Sequence, residues 1–229
     1  MVHKTMKYRL QINRDKLVPG LWVHWRGTSF VSRAIRRMLT IWERRTCATY
    51  HLPLCGWRIW GNHDGIVIHR NGSWYIGEAL AHGSVATPIE DYEQEINEGT
   101  GELMFLRPTS LSENEPAPDN EKLALAAYYW QANIEGTKYD YAAYPGLIVD
   151  CFFAGLWPRP GNRKNHFCTE GIDSPYCTAD MDVLQDNTPT PMHVERAAGM
   201  IPQRPDRRVT MEILPDMYVA SKNNEEDGK

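Results

Sequence analysis

The chain has 229 residues, 42% of them hydrophobic and 24% charged, with a formal charge of −4. That balance belongs to an ordinary globular chain with a sizeable core and excludes a disordered or collagen-like one. The mild acidity gives no overall pull toward nucleic acid, and five cysteines without regular spacing argue for reduced thiols rather than a disulfide framework.

Residues 1–13 lack the apolar run and cleavage site of a secretory signal. The longest apolar stretch, Leu147 to Trp157, is interrupted by Asp150 and falls short of the roughly 20 residues that a membrane span needs. The expectation is a cytoplasmic protein, phage-encoded or released by another route, with no transmembrane segment.

After a polar start, Leu17-Val18-Pro19-Gly20 reads as a turn feeding a short strand through Trp22 and Trp25. Val31, Ala34, Ile35, Met38, Ile41 and Trp42 then recur at helical spacing behind Thr28 or Ser29 as N-cap. Arg33, Arg36, Arg37, Arg44 and Arg45 fall outward, most simply as a solvated face. Residues 43–61 read as an inserted loop rich in Cys, His and Trp.

The clearest local signal is a hairpin. Two strand-like runs, His63 to His69 and Ser73 to Ala79, flank Asn71-Gly72, the dipeptide suited to a type I′ turn. If those two residues are the loop, Arg70 pairs with Ser73 and the ladder counts back to set Gly65 opposite Glu78. His63 then shares a face with Glu78 as its diagonal neighbour, within side-chain reach.

Strands around Val85 to Ile89 and Leu103 to Arg107 extend an antiparallel sheet, with a loop or short helix over Glu90 to Glu98 between them. Leu123, Ala126, Ala127, Trp130 and Ile134 mark a helix stopped by Gly136, and Leu147 to Trp157 a second core helix. A further helix is signalled by Thr190 as cap, Pro191 at its first position and Gly199 past its end. Val209 to Leu214 alternates like a closing strand. The pattern predicts one domain over residues 1–220 and a flexible charged tail over 221–229.

His166-Phe167-Cys168-Thr169-Glu170 opens another probable helix. A cysteine at a helix N-terminus and a histidine on a strand are the halves of a thiol nucleophile, because the helix end and a nearby imidazolium both favour thiolate. Either residue alone is more often structural. The conjunction of Cys168, His63 and Glu78, placed by register to orient the imidazole, points to nucleophile, general base and third member. His166, Trp22 and Trp74 are candidates for the substrate-binding walls, while Cys151 and Cys177 read as buried and inert. His24 and His69 are weaker candidates, His69 as a packed or rim residue. No cofactor is required. A rival reading groups Cys47, His51, Cys55 and His63 as a structural zinc site, although their spacing matches no common module.

Taken together, Leu17-Val18-Pro19-Gly20, Ser32-Arg33-Ala34-Ile35-Arg36, Asn62-His63-Asp64-Gly65-Ile66-Val67-Ile68, Trp74-Tyr75-Ile76-Gly77-Glu78-Ala79, Lys138-Tyr139-Asp140-Tyr141 and Phe167-Cys168-Thr169-Glu170 resemble the circularly permuted branch of the NlpC-type papain-fold thiol hydrolases. That group includes YiiX-like proteins and, more distantly, lecithin:retinol acyltransferase. In that branch the histidine strand precedes the cysteine helix, as here. The resemblance implies an α+β papain-like fold, an antiparallel sheet packed against helices, with Cys168 as nucleophile, His63 as base and Glu78 as the polar third member. Two departures stand out: Leu21 replaces the aspartate that usually follows the first glycine, and Gly171 and Pro175 interrupt the helix after the cysteine.

The reading is a papain-like cysteine hydrolase, a peptidase or amidase cleaving a peptide, cell-wall peptide or ester through a thioacyl-enzyme. The expected partner is that peptide or acyl substrate, with no nucleic acid. A thiol acyltransferase or lipid acyl hydrolase is the second reading, and a non-catalytic papain-fold binding module the third.

Overall fold

Asn71 and Gly72 both take positive φ, 53° and 77°, the backbone a type I′ turn demands, and the hairpin they close fixes the register of the main sheet. The computed structural model describes residues 8–49, 58–109, 116–139, 168–184, 190–202 and 209–222. In chain order the described elements are β1 (Tyr8–Ile12), β2 (Trp22–Gly27), α1 (Phe30–Thr49), β3 (His63–Arg70), β4 (Ser73–Leu80), β5 (Gly83–Pro88), α2 (Ile89–Glu98), β6 (Gly101–Pro108), α3 (Asn120–Asn133), α4 (Cys168–Thr178), α5 (Pro191–Ala197), β7 (Met211–Ile213) and β8 (Tyr218–Lys222).

The fold is α+β. Six strands form an antiparallel sheet in the order β5-β4-β3-β2-β6-β7. Arg70 pairs with Ser73 and Gly65 lies opposite Glu78, the register the turn dictates. The strand after α2 does not extend the hairpin side. It returns to the far side of β2, where Trp25 faces Leu103.

Successive side chains alternate between the two faces. On one face Trp22 stacks on Tyr176 of α4 at 5.2 Å, and Gly77 leaves room for Trp130 of α3, whose ring atoms would lie 2.8 Å from an added Cβ. On the other, Trp25 meets Tyr92 of α2 edge-on at 5.1 Å. These aromatics anchor the main core, each fully buried side chain contributing on the order of 2–3 kcal/mol. A smaller apolar cluster, Leu39, Trp42, Ile59, Met192 and Ile201, holds α1 against α5.

Ser29 caps α1 by accepting from the Ser32 N–H at 3.1 Å, but the expected apolar stripe is only partly internal. Leu39, Trp42 and Cys47 are buried, whereas Val31 is 65% exposed and Ile41 45%. The helix docks through its second half, while Val31 and Ile35 border a cavity that Leu39 also reaches from the smaller cluster. Arg36 turns inward, donating to the Gly27 carbonyl and the Asn62 side chain.

The chain start is also structured. β1 pairs with β8 in a separate two-stranded sheet, which takes Ser221 and Lys222 out of the expected tail. No strand signal announced β1, because its partners are remote: the Ile12 N–H donates to Glu93 at 2.6 Å, and Asn97 bonds both the N–H and the C=O of Leu10. At the opposite edge, the Ser84 N–H donates to the Thr137 carbonyl and the Gly136 N–H to the Ser84 carbonyl, so the segment after α3 lies along β5.

Gly20 has φ 85°, and a Cβ there would lie 1.9 Å from the Leu123 carbonyl oxygen, so the opening turn needs glycine. Leu21, in place of an aspartate, is fully buried. Gly171 and Pro175 do not end α4, which continues to Thr178. Thr190 and Pro191 open α5 as expected, and Gly199 follows it at φ 69°. The expected helix over 147–157 lies outside the described residues. Among the described residues no helix is long and apolar enough to cross a membrane.

Candidate active site

His63 is the first residue of β3, and Glu78 accepts from its Nε2 at 2.6 Å. The other Glu78 oxygen accepts from the Thr87 hydroxyl at 2.5 Å. Burial by itself raises the Glu78 carboxyl, but hydrogen bonding and charge from His63, with hydrogen bonds from Thr87 and Tyr92, outweigh it and leave the pKa lowered. The carboxylate is therefore charged and held on several sides.

The Cys168 thiol is the second partner of His63. With Nε2 engaged by Glu78, Nδ1 is the ring nitrogen left for the sulfur. Burial pulls the imidazole pKa down, but hydrogen bonds to Cys168 and Glu78 and their negative charge overcome this and set it well above the ordinary histidine value. Cys168 is the first residue of α4, where backbone N–H groups lack partners within the helix. Thus Cys168, His63 and Glu78, separated in sequence, come together at one place.

They border a cavity of about 760 Å³ whose apolar wall includes Trp25, Val31, Ile35, Leu39 and Leu80. That volume suits a drug-sized or short peptide group. Asn62, also at the cavity, accepts from the Gly27 N–H at 3.0 Å and from Arg36, which fixes the chain entering β3.

The proposed walls need correction. Trp22 is fully buried, stacked on Tyr176, with its indole N–H donating to Asp64 at 3.0 Å, so it belongs to the core. Trp25, directly opposite His63 in the ladder, takes the place at the cavity. Trp74 stands opposite His69, with ring centroids 4.4 Å apart. That is the face of His63 but the turn end of the hairpin. His69 is therefore packed against a neighbour, as expected. His166 and Cys151 lie outside the described residues. Cys177 is exposed rather than buried, because it falls near the C-terminal end of α4.

Of the zinc candidates, His51 and Cys55 lie outside the described residues, Cys47 is buried with its thiol donating to Glu43 at 3.5 Å, and His63 is engaged as above. Among the described residues no three His, Cys, Asp or Glu side chains converge on a metal position.

Sequence reasoning missed a second polar cluster, directly behind the first. Asp64, fully buried, accepts from the Trp22 indole, from His24 Nδ1 at 2.7 Å and from the Thr169 hydroxyl at 2.6 Å. On the far side of the same imidazole, His24 Nε2 lies 3.3 Å from Glu195, which also accepts from the Trp60 and Gly61 N–H groups at 2.6 and 2.8 Å. Burial disfavours a charged His24, but the Asp64 charge and hydrogen bond, with those of Glu195, raise its pKa to about 9. The signal available in the sequence was Gly61: a Cβ there would lie 2.1 Å from His24 Nε2.

No protein-family model matches the chain, and no curated protein matches it. Among solved structures it is similar to the metalloprotein yiiX from Escherichia coli O157:H7, with 16% identity and a TM-score of 0.44, over 90% of this chain and 97% of that one.

Proposed function

We propose that the protein is a cysteine hydrolase of permuted, papain-like design, cleaving an amide or ester through a thioacyl-enzyme. The observation that carries this reading is the single imidazole shared between a helix-N-terminal thiol and a buried, hydrogen-bonded carboxylate at the wall of a cavity. The order of His63 before Cys168, and the motifs around them, support the permuted arrangement.

In this mechanism the thiol proton passes to His63 Nδ1 and the sulfur attacks the substrate carbonyl carbon, placing negative charge on its oxygen. The Cys168 N–H at the start of α4 is the donor that would meet that oxyanion. Collapse expels the amine or alcohol, which takes the proton from His63. Water then gives a proton to His63 and its oxygen to the acyl carbon, and the returning proton frees the Cys168 thiol. Glu78 holds the ring orientation and stabilises the imidazolium throughout. The apolar cavity wall favours a substrate with an apolar side chain or acyl group beside the scissile carbonyl, which keeps acyl transfer as a second reading.

Iodoacetamide alkylation of each cysteine, followed by peptide mass spectrometry from pH 5 to 9, tests the pair. Cys168 is expected to react fastest below neutral pH and to lose that advantage in His63→Ala. Equal rates for Cys168 and Cys47 would remove the basis of the catalytic reading. Adding an amine acceptor to turnover of an ester panel separates hydrolysis from transfer.

A further inference from the structure

The base and the nucleophile reach each other from opposite faces of the sheet. α4 lies on the Trp22 face through the Tyr176 stack. Asp64 and His24, cross-strand partners, point to that same face, whereas His63, one residue earlier, points to the other. The Cys168 thiol meets the imidazole around the end of β3. Their separation therefore depends on where the helix start sits along the strand axis.

Three chain positions that decide this separation carry bonds to one buried assembly. Thr169, next to the nucleophile, donates to Asp64 Oδ2. Asp64, next to the base, is held on its other oxygen by His24 and Trp22. Gly61, two residues ahead of the base, donates its N–H to Glu195. His24 joins the two halves, with one ring nitrogen toward each carboxylate. Trp22, His24, Asp64 and Thr169 are all fully buried and Glu195 is 1% exposed, so water does not compete for these bonds.

We propose that Asp64, His24, Glu195 and Thr169 form a positioning assembly that sets the distance between Cys168 and His63, with the Thr169 to Asp64 hydrogen bond as its link to the nucleophile. This rests on the reading of Cys168 as nucleophile. Asp64, His24 and Glu195 do not touch the reacting atoms and act through the two chain neighbours, as supporting hydrogen bonds do wherever a reactive pair must hold its geometry to within about half an ångström. The Thr169 hydroxyl, which donates to Asp64, also lies 3.8 Å from the Cys168 sulfur and so joins the assembly to the thiol directly.

Thr169→Val keeps the side-chain shape and deletes the donor, and Thr169→Ser keeps the donor and deletes the methyl. The experiment follows Cys168 alkylation by iodoacetamide from pH 5 to 9 in the full chain, with Cys177 alkylation and the thermal midpoint recorded in the same samples. Thr169→Val is expected to slow Cys168 at pH 6 by about tenfold and to flatten its advantage at low pH, while Cys177 keeps its wild-type rate and Thr169→Ser restores the profile. A wild-type profile in Thr169→Val overturns the proposal, as does equal loss in both variants, which would assign the effect to packing. Should Thr169→Val unfold, shown by Cys177 reacting as in urea, Thr169→Ser decides alone: the wild-type profile supports the hydroxyl as sufficient, and its loss in a folded protein overturns it. If wild-type Cys168 reacts no faster than Cys47, the nucleophile reading fails and takes this proposal with it, an outcome distinct from every result on the variants.

Discussion

Cys168 and Cys177 occupy opposite ends of the same helix, and their surroundings treat the two thiols in opposite ways. Cys168, 8% exposed, faces an imidazole held by a carboxylate. Cys177 is exposed, yet its thiol donates to Asp173 at 3.7 Å. Partial burial of that thiol, then the charges of Asp173 and Asp182, push its pKa up to about 12. Access to solvent ranks Cys177 as the reactive cysteine, and its raised pKa argues against it. Chemistry at sulfur follows the thiolate, so exposure by itself does not make Cys177 the more reactive of the two.

The widest test of that contrast is the wild-type rate ratio. At pH 7 a thiol with a pKa near 12 is about 0.001% thiolate, a scarcity only partly offset by the greater intrinsic nucleophilicity of the weaker acid. Alkylation of Cys168 is expected to exceed that of Cys177 by about 100-fold, measured by peptide mass spectrometry. A faster Cys177 would break the comparison outright.

The anchorage of the Cys168 end is tested by stability. A histidine whose folded pKa is raised contributes stability that is fully present below its unfolded value of about 6.5 and is lost as pH rises through the folded value. For His24, raised to about 9, urea unfolding is expected to show a loss of about 3 kcal/mol between pH 6.5 and pH 9 and beyond. In His63→Ala the part of the decline that belongs to His24 should persist while the part that His63 adds in the wild type disappears, which separates the buried imidazole from the one at the cavity. A flat profile over this range would place His24 outside the fold's energetics.

Glu78→Gln should slow Cys168 alkylation at pH 6 by about tenfold without changing Cys177, because the neutral amide stabilises the imidazolium less. The smallest effect belongs to the other end. Asp173→Asn should speed Cys177 by about threefold at pH 8, by removing the nearest negative charge from the departing proton, and should leave Cys168 unchanged.

What was legible in the sequence traces back to local rules. Asn71-Gly72 fixed the hairpin, the hairpin fixed Gly65 against Glu78, and that placed His63 beside its carboxylate. Thr190 and Pro191 announced α5 in the same way. The pairing of β2 with β3 had no such turn, so nothing set His24 against Asp64 in advance. The choice between Trp22 and Trp25 failed for a related reason. Their strand is buried along nearly its whole length, and a strand buried on both faces offers no alternation to say which residues point where. The Thr169 bond to Asp64 was illegible because its acceptor lies in a distant strand.

The strip of chain laid along β5 bears on self-association. An outer strand with free N–H and C=O groups is a template for a second copy of the same protein. Here both main-chain groups of Ser84 are already paired with Gly136 and Thr137, and the strand closes at Pro88, which has no N–H to offer. The border of the sheet nearest Thr87 thus offers no free main-chain group at Ser84 and no N–H at Pro88, which works against intermolecular strand addition at both ends of β5.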